Sequence, residues 1–199
     1  MSRVAAVVLA AGGSSRLGQP KQLLMFRGET LLRRAVRAAA DAGCAPILVV
    51  VGEINEEEGG EEEQEQEQEL MGPALVVNSE WRRGMGTSIR RGVEKLPEAV
   101  GAVVLLTCDQ PFLEAAIVSG LIAAQKKTGK PIVASSYANT IGVPALFDRS
   151  CFDALLALPD ATGAKAFILS RHADVAAIPF EEGAIDIDTP EDLERLTSL

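Results

Sequence analysis

Residues 4–21 read V-A-A-V-V-L-A-A-G-G-S-S-R-L-G-Q-P-K, and this stretch decides the fold. Val4 to Leu9 is an unbroken apolar run, the pattern of a central parallel strand buried on both faces. It gives way to Ala10-Ala11-Gly12-Gly13-Ser14-Ser15, where small side chains let backbone N–H groups approach a ligand. Arg16 and Lys21 follow, with Gly18 and Pro20 shaping the loop between them. A strand ending in such a loop suits a polyphosphate. The loop donates N–H bonds and the cations neutralise charge.

Two better-known phosphate loops do not fit. The spacing G-x-x-x-x-G-K-[ST] finds its glycines at Gly13 and Gly18, but Gln19 and Pro20 occupy the Lys and Ser/Thr places. Pro20 also disfavours a helix starting at Gly18. The dinucleotide pattern G-x-G-x-x-G is absent, because Gly12 and Gly13 are adjacent. An ordinary glycine-rich turn accounts for the glycines. It leaves Arg16 and Lys21 on one loop unexplained.

At 199 residues the chain is read as one domain, residues 1–199. Aromatics are only 4%, so the core is expected from Ala, Val, Leu and Ile, as in an α/β protein with interior parallel strands. The net charge of −9 argues against general nucleic-acid binding but allows a local cationic pocket. Much of that charge lies in Glu53–Glu69, within an acidic low-complexity segment, 53–70, read as a solvated surface connection. A metal-binding role for that run is disfavoured, since repetitive Glu/Gln offers no fixed geometry. No signal peptide or membrane-spanning run is read, and Cys44, Cys108 and Cys151 lack metal-ligand spacing. Reduced structural thiols in a cytoplasmic protein are the expectation.

In chain order, Gln22–Phe26 and a turn at 27–29 lead to Thr30, which caps a helix to about Ala42. Pro46 opens a buried strand, Ile47–Val51, completing a βαβ unit with parallel strands. Ala74–Val77 is the next strand. Gly84-Met85-Gly86 then reads as a flexible turn, before a helix capped by Thr87 or Ser88 and running to Leu96. Trp81, the only tryptophan, is read as packing. Ala102–Leu106 is a strand that ends at Cys108 and Asp109, and an acid at the carboxyl end of a parallel strand lies where open α/β sheets bind ligands.

Phe112–Lys126 reads as a helix, Pro131–Ala134 as a strand and Ser135–Gly142 as a polar loop. Phe152–Leu158 and Ala164–Ser170 read as helices, His172 as a surface residue at a helix end, and Val175–Ile178 as a strand. Ile185–Asp188 alternates like a short strand with Asp186 and Asp188 on one face. Thr189-Pro190-Glu191-Asp192 is a helix start, which accounts for its acids.

Four segments in order resemble one family: L-A-A-G-x-S-x-R-x-G-x-P-K at Leu9–Lys21, N-S-E-W-R-R-G-M-G-T-S-I at Asn78–Ile89, L-L-T-C-D-Q-P-F at Leu105–Phe112, and D-I-D-T-P-E-D-L at Asp186–Leu193. They resemble the nucleotidyltransferases that use a nucleoside triphosphate, and among these the molybdenum cofactor cytidylyltransferase group. The resemblance implies one Rossmann-like three-layer α/β domain with a largely parallel sheet. It implies nucleotide contacts from Leu9, Ala10, Ala11, Gly12, Gly13, Ser14, Ser15, Arg16, Lys21, Asn78 and Ser88. Catalytic duty falls to Arg16, Lys21 and Asp109. Asp109, with Asp188 or Asp186 or both, is implied to hold Mg²⁺. Val143 stands where the family's G-H-P-x-L-F segment has His, a departure that falls on recognition of the second substrate.

The activity implied is transfer of CMP from CTP onto a phosphorylated small molecule, with molybdopterin as acceptor and release of pyrophosphate. Guanylyl relatives typically read L-A-G-G with D-K, whereas this chain has L-A-A-G with P-K. A molybdoenzyme or its chaperone is the implied protein partner; nucleic acid and membrane are not. Two alternatives stand beside it. One is a related transferase using GTP or a sugar or alcohol phosphate; the other is a non-catalytic nucleotide-binding partner of a molybdoenzyme.

Overall fold

The computed structural model describes residues 3–12, 21–52, 73–187 and 192. Its strands are β1 (Arg3–Leu9), β2 (Met25–Phe26), β3 (Glu29–Thr30), β4 (Ile47–Val51), β5 (Ala74–Val77), β6 (Val100–Thr107), β7 (Ile132–Tyr137), β8 (Thr140–Asp148) and β9 (Val175–Pro179). Seven of them form one sheet in the order β5-β4-β1-β6-β8-β7-β9, while β2 and β3 pair as a small separate ribbon. Only β8 runs against its neighbours in the large sheet; the other pairings there are parallel. The expected three-layer, largely parallel α/β fold is the one observed.

The Val4–Leu9 run forms a strand in the sheet interior because both of its faces meet a core. Ala5, Val7 and Leu9 join one apolar cluster, and Ala6 and Val8 join the other. The first cluster is completed by α2 (Met85–Glu94), α4 (Phe152–Leu156) and α5 (Ala164–Ser170), the second by α1 (Leu31–Asp41) and α3 (Ala115–Thr128). Thr30 caps α1 as its sequence suggests, its side chain accepting from Arg33 N at 3.2 Å. Asp192 is helical, and the rest of the proposed start at 189–191 lies outside the described residues, as does the acidic run.

Several expectations need correction. The segment read as a polar loop at 135–142 is mostly strand: β7 continues to Tyr137 and returns through Ala138-Asn139 into β8. Both turn residues have left-handed φ, 46° and 58°, as a tight hairpin requires, yet no glycine announces the turn. Ser135 is polar but fully buried, its Oγ donating to Pro144 O at 2.8 Å. Pro144 fits inside β8 because the register slips there. Ala134 pairs with Ala145 but Ser135 with Gly142, so Val143 and Pro144 bulge out of the ladder.

Second, the helix expected from Phe112 begins at Ala115, since residues 110–113 close a turn through Leu113 N to Gln110 O. Likewise, α4 stops at Leu156 rather than Leu158. Third, residues 185–187 form no strand; among the described residues their backbone meets only isolated partners, not a ladder.

The fourth correction concerns α2, which starts at Met85 rather than at Thr87 or Ser88. Its glycines serve close approach, not flexibility. Gly86 N donates to Asp160 O at 2.9 Å, and a Cβ on Gly86 would overlap the Pro159 carbonyl oxygen. Thr87 lies within the first turn, and its Oγ1 donates to Gly84 O at 2.7 Å. Gly86→Ala should therefore destabilise the protein by about 1–3 kcal/mol as overpacking. That outweighs the ~1 kcal/mol that alanine gains over glycine in a helix. Thermal unfolding checks it: an unchanged or raised midpoint would show that the 159–161 loop yields freely.

Candidate active-site cleft at the ends of β1 and β6

Chain order reverses across the sheet at β1. The strands β4 and β5 are added on one side of it and β6 on the other. Ligands of open α/β sheets bind outside the carboxyl ends at such a switch point. Leu9 and Thr107 are register partners, so the loops leaving β1 and β6 emerge side by side. Between them opens a cleft of ≈ 310 Å³.

Leu9, Ala10, Ala11 and Gly12 form one side of this cleft, and Thr107, Cys108 and Asp109 another. Lys21 and Gln22 reach it from the segment before β2, while Trp81, Arg82, Met85 and Ser88 form the remaining wall. Ala10 N is fixed to Val50 O at 2.8 Å. Gly12 is exposed, and among the described residues a Cβ there would meet nothing within 4 Å.

Of the residues singled out from sequence, Leu9–Gly12, Lys21, Ser88 and Asp109 line one cleft. Gly13, Ser14, Ser15, Arg16 and Asp188 lie outside the described residues. Asn78 is set behind the wall. Its Nδ2 donates to Thr87 Oγ1 and Ser88 Oγ, each at 2.9 Å, and its Oδ1 accepts from Glu80 N at 3.1 Å. Asn78 thus orients Ser88 by tying the end of β5 to the first turn of α2.

The Trp81 wall is held by contacts not legible in its sequence. The indole lies on the backbone at Gly52, where a Cβ would stand 2.9 Å from Nε1, and Arg82 stacks 4.7 Å from the ring centroid. Asp160 pairs with Arg83 at 2.6 Å and Arg90 at 2.5 Å, clamping both ends of this wall. The Arg90 hydrogen bond, with Arg83 alongside, holds the Asp160 carboxyl below its ordinary value.

A satellite core fixes the three charged segments relative to one another. Leu24, Phe26, Leu31 and Ile187 are buried together, with Phe112 packed on them edge-on to Phe26, centroids 5.4 Å apart. Leu24 follows Lys21 closely, Phe112 follows Asp109, and Ile187 follows Asp186. Ile187 N also donates to Asp109 O at 3.2 Å. Full burial of Ile187 is worth roughly 1.5–3 kcal/mol, enough to hold that segment in place.

Tyr137 senses the same corner. Its OH donates to Val143 O at 3.0 Å, and its pKa is raised by burial and then by the charges of Asp186 and Asp109. Asp109 lines the cleft, and Asp186 lies in the segment tied to it through Ile187 N; Asp188 lies beyond the described residues. No group of three metal-binding side chains occurs among the described residues.

The three cysteines are buried and unpaired. Burial pushes Cys44 up to about 11 and Cys108 up to about 12, with Asp109 adding to the second. Cys108 is therefore a packed thiol and not a nucleophile at neutral pH. Both folded values are raised, so the stability these thiols confer is complete below the unfolded value of about 8.5 and is lost as pH rises towards 11–12. The thermal midpoint should fall above about pH 9, and native protein at pH 8 should resist a thiol reagent that labels the unfolded chain. Rapid native labelling of Cys108 would contradict its burial.

Among the described residues no helix is long and apolar enough to cross a membrane. Purine catabolism protein PucB of Bacillus subtilis (strain 168) is 29% identical over 198 residues, covering 96% of this chain and 94% of its own. Nicotine blue oxidoreductase of Paenarthrobacter nicotinovorans is 27% identical over 202 residues, covering 97% and 96%. The crystal structure of Rv0371c from Mycobacterium tuberculosis H37Rv superposes with a TM-score of 0.82 at 28% identity, over 100% of this chain and 98% of that one. A structure of Rv0371c in complex with manganese gives 0.77 at 26%, over 100% and 99%. The family model of the MobA-like NTP transferase domain matches residues 6–175. With its four motifs in order and its cleft at the β1/β6 switch point, the chain belongs to the MobA-like NTP transferase family.

Proposed function

We propose that this nucleotidyltransferase moves CMP from CTP onto the phosphate of molybdopterin and releases pyrophosphate. The observation that carries the reading is the cleft in which the small-residue loop and Lys21 face Asp109. The L-A-A-G and P-K ends of that loop support the cytidylyl choice by resemblance. An acceptor phosphate oxygen attacks the α-phosphorus in line, so the protein's task is positioning and charge neutralisation. Loop N–H groups and Ser88 hold the nucleotide, and Lys21 with Arg16 takes the polyphosphate and the leaving pyrophosphate.

Asp109 with Asp186, Asp188 or both would hold Mg²⁺. The fit rests on hard anionic oxygens and on the bond from Ile187 to Asp109, which brings the two segments together. The manganese complex of Rv0371c supports a divalent cation here. When bound, such an ion supplies neutralisation of the triphosphate's charge. Three unpaired buried thiols support a reducing compartment, the cytoplasm, where a molybdoenzyme or its chaperone would receive the product. The second reading, a transferase for another phosphorylated acceptor, is favoured by Val143, which sits in the β8 bulge where the family has His.

Pyrophosphate release with molybdopterin, Mg²⁺ and each of four nucleoside triphosphates tests both. CTP should exceed the others by at least about tenfold, a barrier difference of ~1.4 kcal/mol. Preference for GTP overturns the cytidylyl assignment. Turnover only with another acceptor supports the second reading.

A further inference from the structure

Gln110 is almost fully buried, 5% exposed, and its amide is fully committed on one side. Nε2 donates to Val143 O in the β8 bulge at 3.2 Å and to Gly183 O at 3.1 Å. Two carbonyl acceptors require the NH₂ end there, which fixes the amide's orientation. Its Oε1 is buried and, among the described residues, accepts no hydrogen bond. Orphaned buried acceptors are rare and costly, and apolar packing alone would be served by Leu or Met.

The Gly183 bond gains meaning from the segment that follows it. Residues 180–187 leave β9 and are held at three points: Phe180 N to Ser136 O at 2.9 Å, Gly183 O to Gln110, and Ile187 N to Asp109 O at 3.2 Å. The last two anchors come from one dipeptide, Asp109-Gln110. They bracket Asp186, which lies three residues after one and one residue before the other. Gly183 has no spare room, since a Cβ there would stand 2.6 Å from the Phe180 ring and 2.9 Å from that of Tyr137.

We infer that Gln110 is a positioning residue for the divalent-cation site: it fixes the 183–187 segment so that the carboxylate of Asp186 shares a corner with Asp109. This rests on the proposed metal site and goes beyond it. Its chemistry is that of an outer-shell partner, which orients a ligand without touching the ion.

The test is Mn²⁺ binding by electron paramagnetic resonance on nucleotide-free protein, with amide exchange at Ile187 measured alongside. Gln110→Met removes both donors at similar size and should weaken Mn²⁺ binding about tenfold or more. The Ile187 amide should exchange faster in the same variant. Gln110→Leu replaces it if the first does not fold. Ser135→Ala, which strips a hydrogen bond from the same bulge, should lower the melting point but leave both readouts at their wild-type values. Wild-type Mn²⁺ affinity in the Gln110 variants, with affinity lost in Asp109→Asn, overturns the inference alone. Wild-type affinity in both Asp109→Asn and Asp186→Asn overturns the metal site and this inference with it.

Discussion

Asp109→Asn should lower turnover by about 100-fold or more, the scale on which loss of a single preorganised electrostatic group acts. The residue lies two positions beyond β6 at the switch-point cleft, and its carbonyl oxygen accepts from Ile187 N. If Asp109 shares a cation with an acid of the C-terminal segment, the two positions act as one unit. Asp109→Asn combined with Asp186→Asn or Asp188→Asn should then cost far less than the sum of the single effects. Each effective single variant should also need more Mg²⁺ for half-maximal rate, having lost a hard anionic oxygen.

Comparing Asp186→Asn with Asp188→Asn identifies the ligand or ligands, for a residue that does not hold the cation leaves the metal requirement unchanged. Asp192→Asn, in the helix start read from the sequence, is the control and should change stability by ~1 kcal/mol or less with metal dependence intact. Tyr137 gives a readout free of metal and substrate. It is the only tyrosine, so phenolate absorbance reports it alone. Asp109→Asn and Asp186→Asn should each bring its titration down, with burial still holding it above the ordinary value. If neither variant moves metal dependence or the tyrosine, the acidic half of the site is wrong.

Sequence alone revealed what local physics dictates. Val4–Leu9 could be read as an interior strand because no polar residue interrupts it, and Thr30 as a cap because few residues satisfy an N-terminal N–H so well. The cleft was legible in part, since Leu9–Gly12 and Asp109 each follow or end an apolar run and Lys21 stands on the same small-residue loop. What stayed hidden depends on contacts between distant residues. β8 was obscured by Pro144, tolerated only because the ladder bulges there. Leu24, Phe26, Phe112 and Ile187 look like ordinary apolar residues, and no spacing announces that they form one cluster. Gln110 stood within a quoted motif, but its role depends on carbonyls 33 and 73 residues away.

Lys21→Ala should reduce turnover at least about tenfold, raising the barrier by ~1.4 kcal/mol or more. Lys21 opens a short 3-10 turn whose end is anchored by Leu24 N to Lys21 O at 3.1 Å and by the burial of Leu24. The backbone is thus fixed while the side chain lines the cleft, and its charge is felt at Cys108, beside Asp109. In the proposed reaction, a cation so placed would meet charge that grows on the leaving pyrophosphate as the α-phosphorus is attacked. Its contribution should therefore be larger in the transition state than in the bound ground state. The expected signature is a fall in kcat together with kcat/KM, rather than a rise in KM alone. Lys21→Arg should recover part of the loss, because it keeps the charge but replaces a compact ammonium with a planar fork. Thermal unfolding checks that Lys21→Ala remains folded, since the burial of Leu24 anchors the turn. Full turnover in a folded Lys21→Ala would remove the residue from the polyphosphate site, and a purely KM effect would leave it as a binding contact with no share in the chemical step.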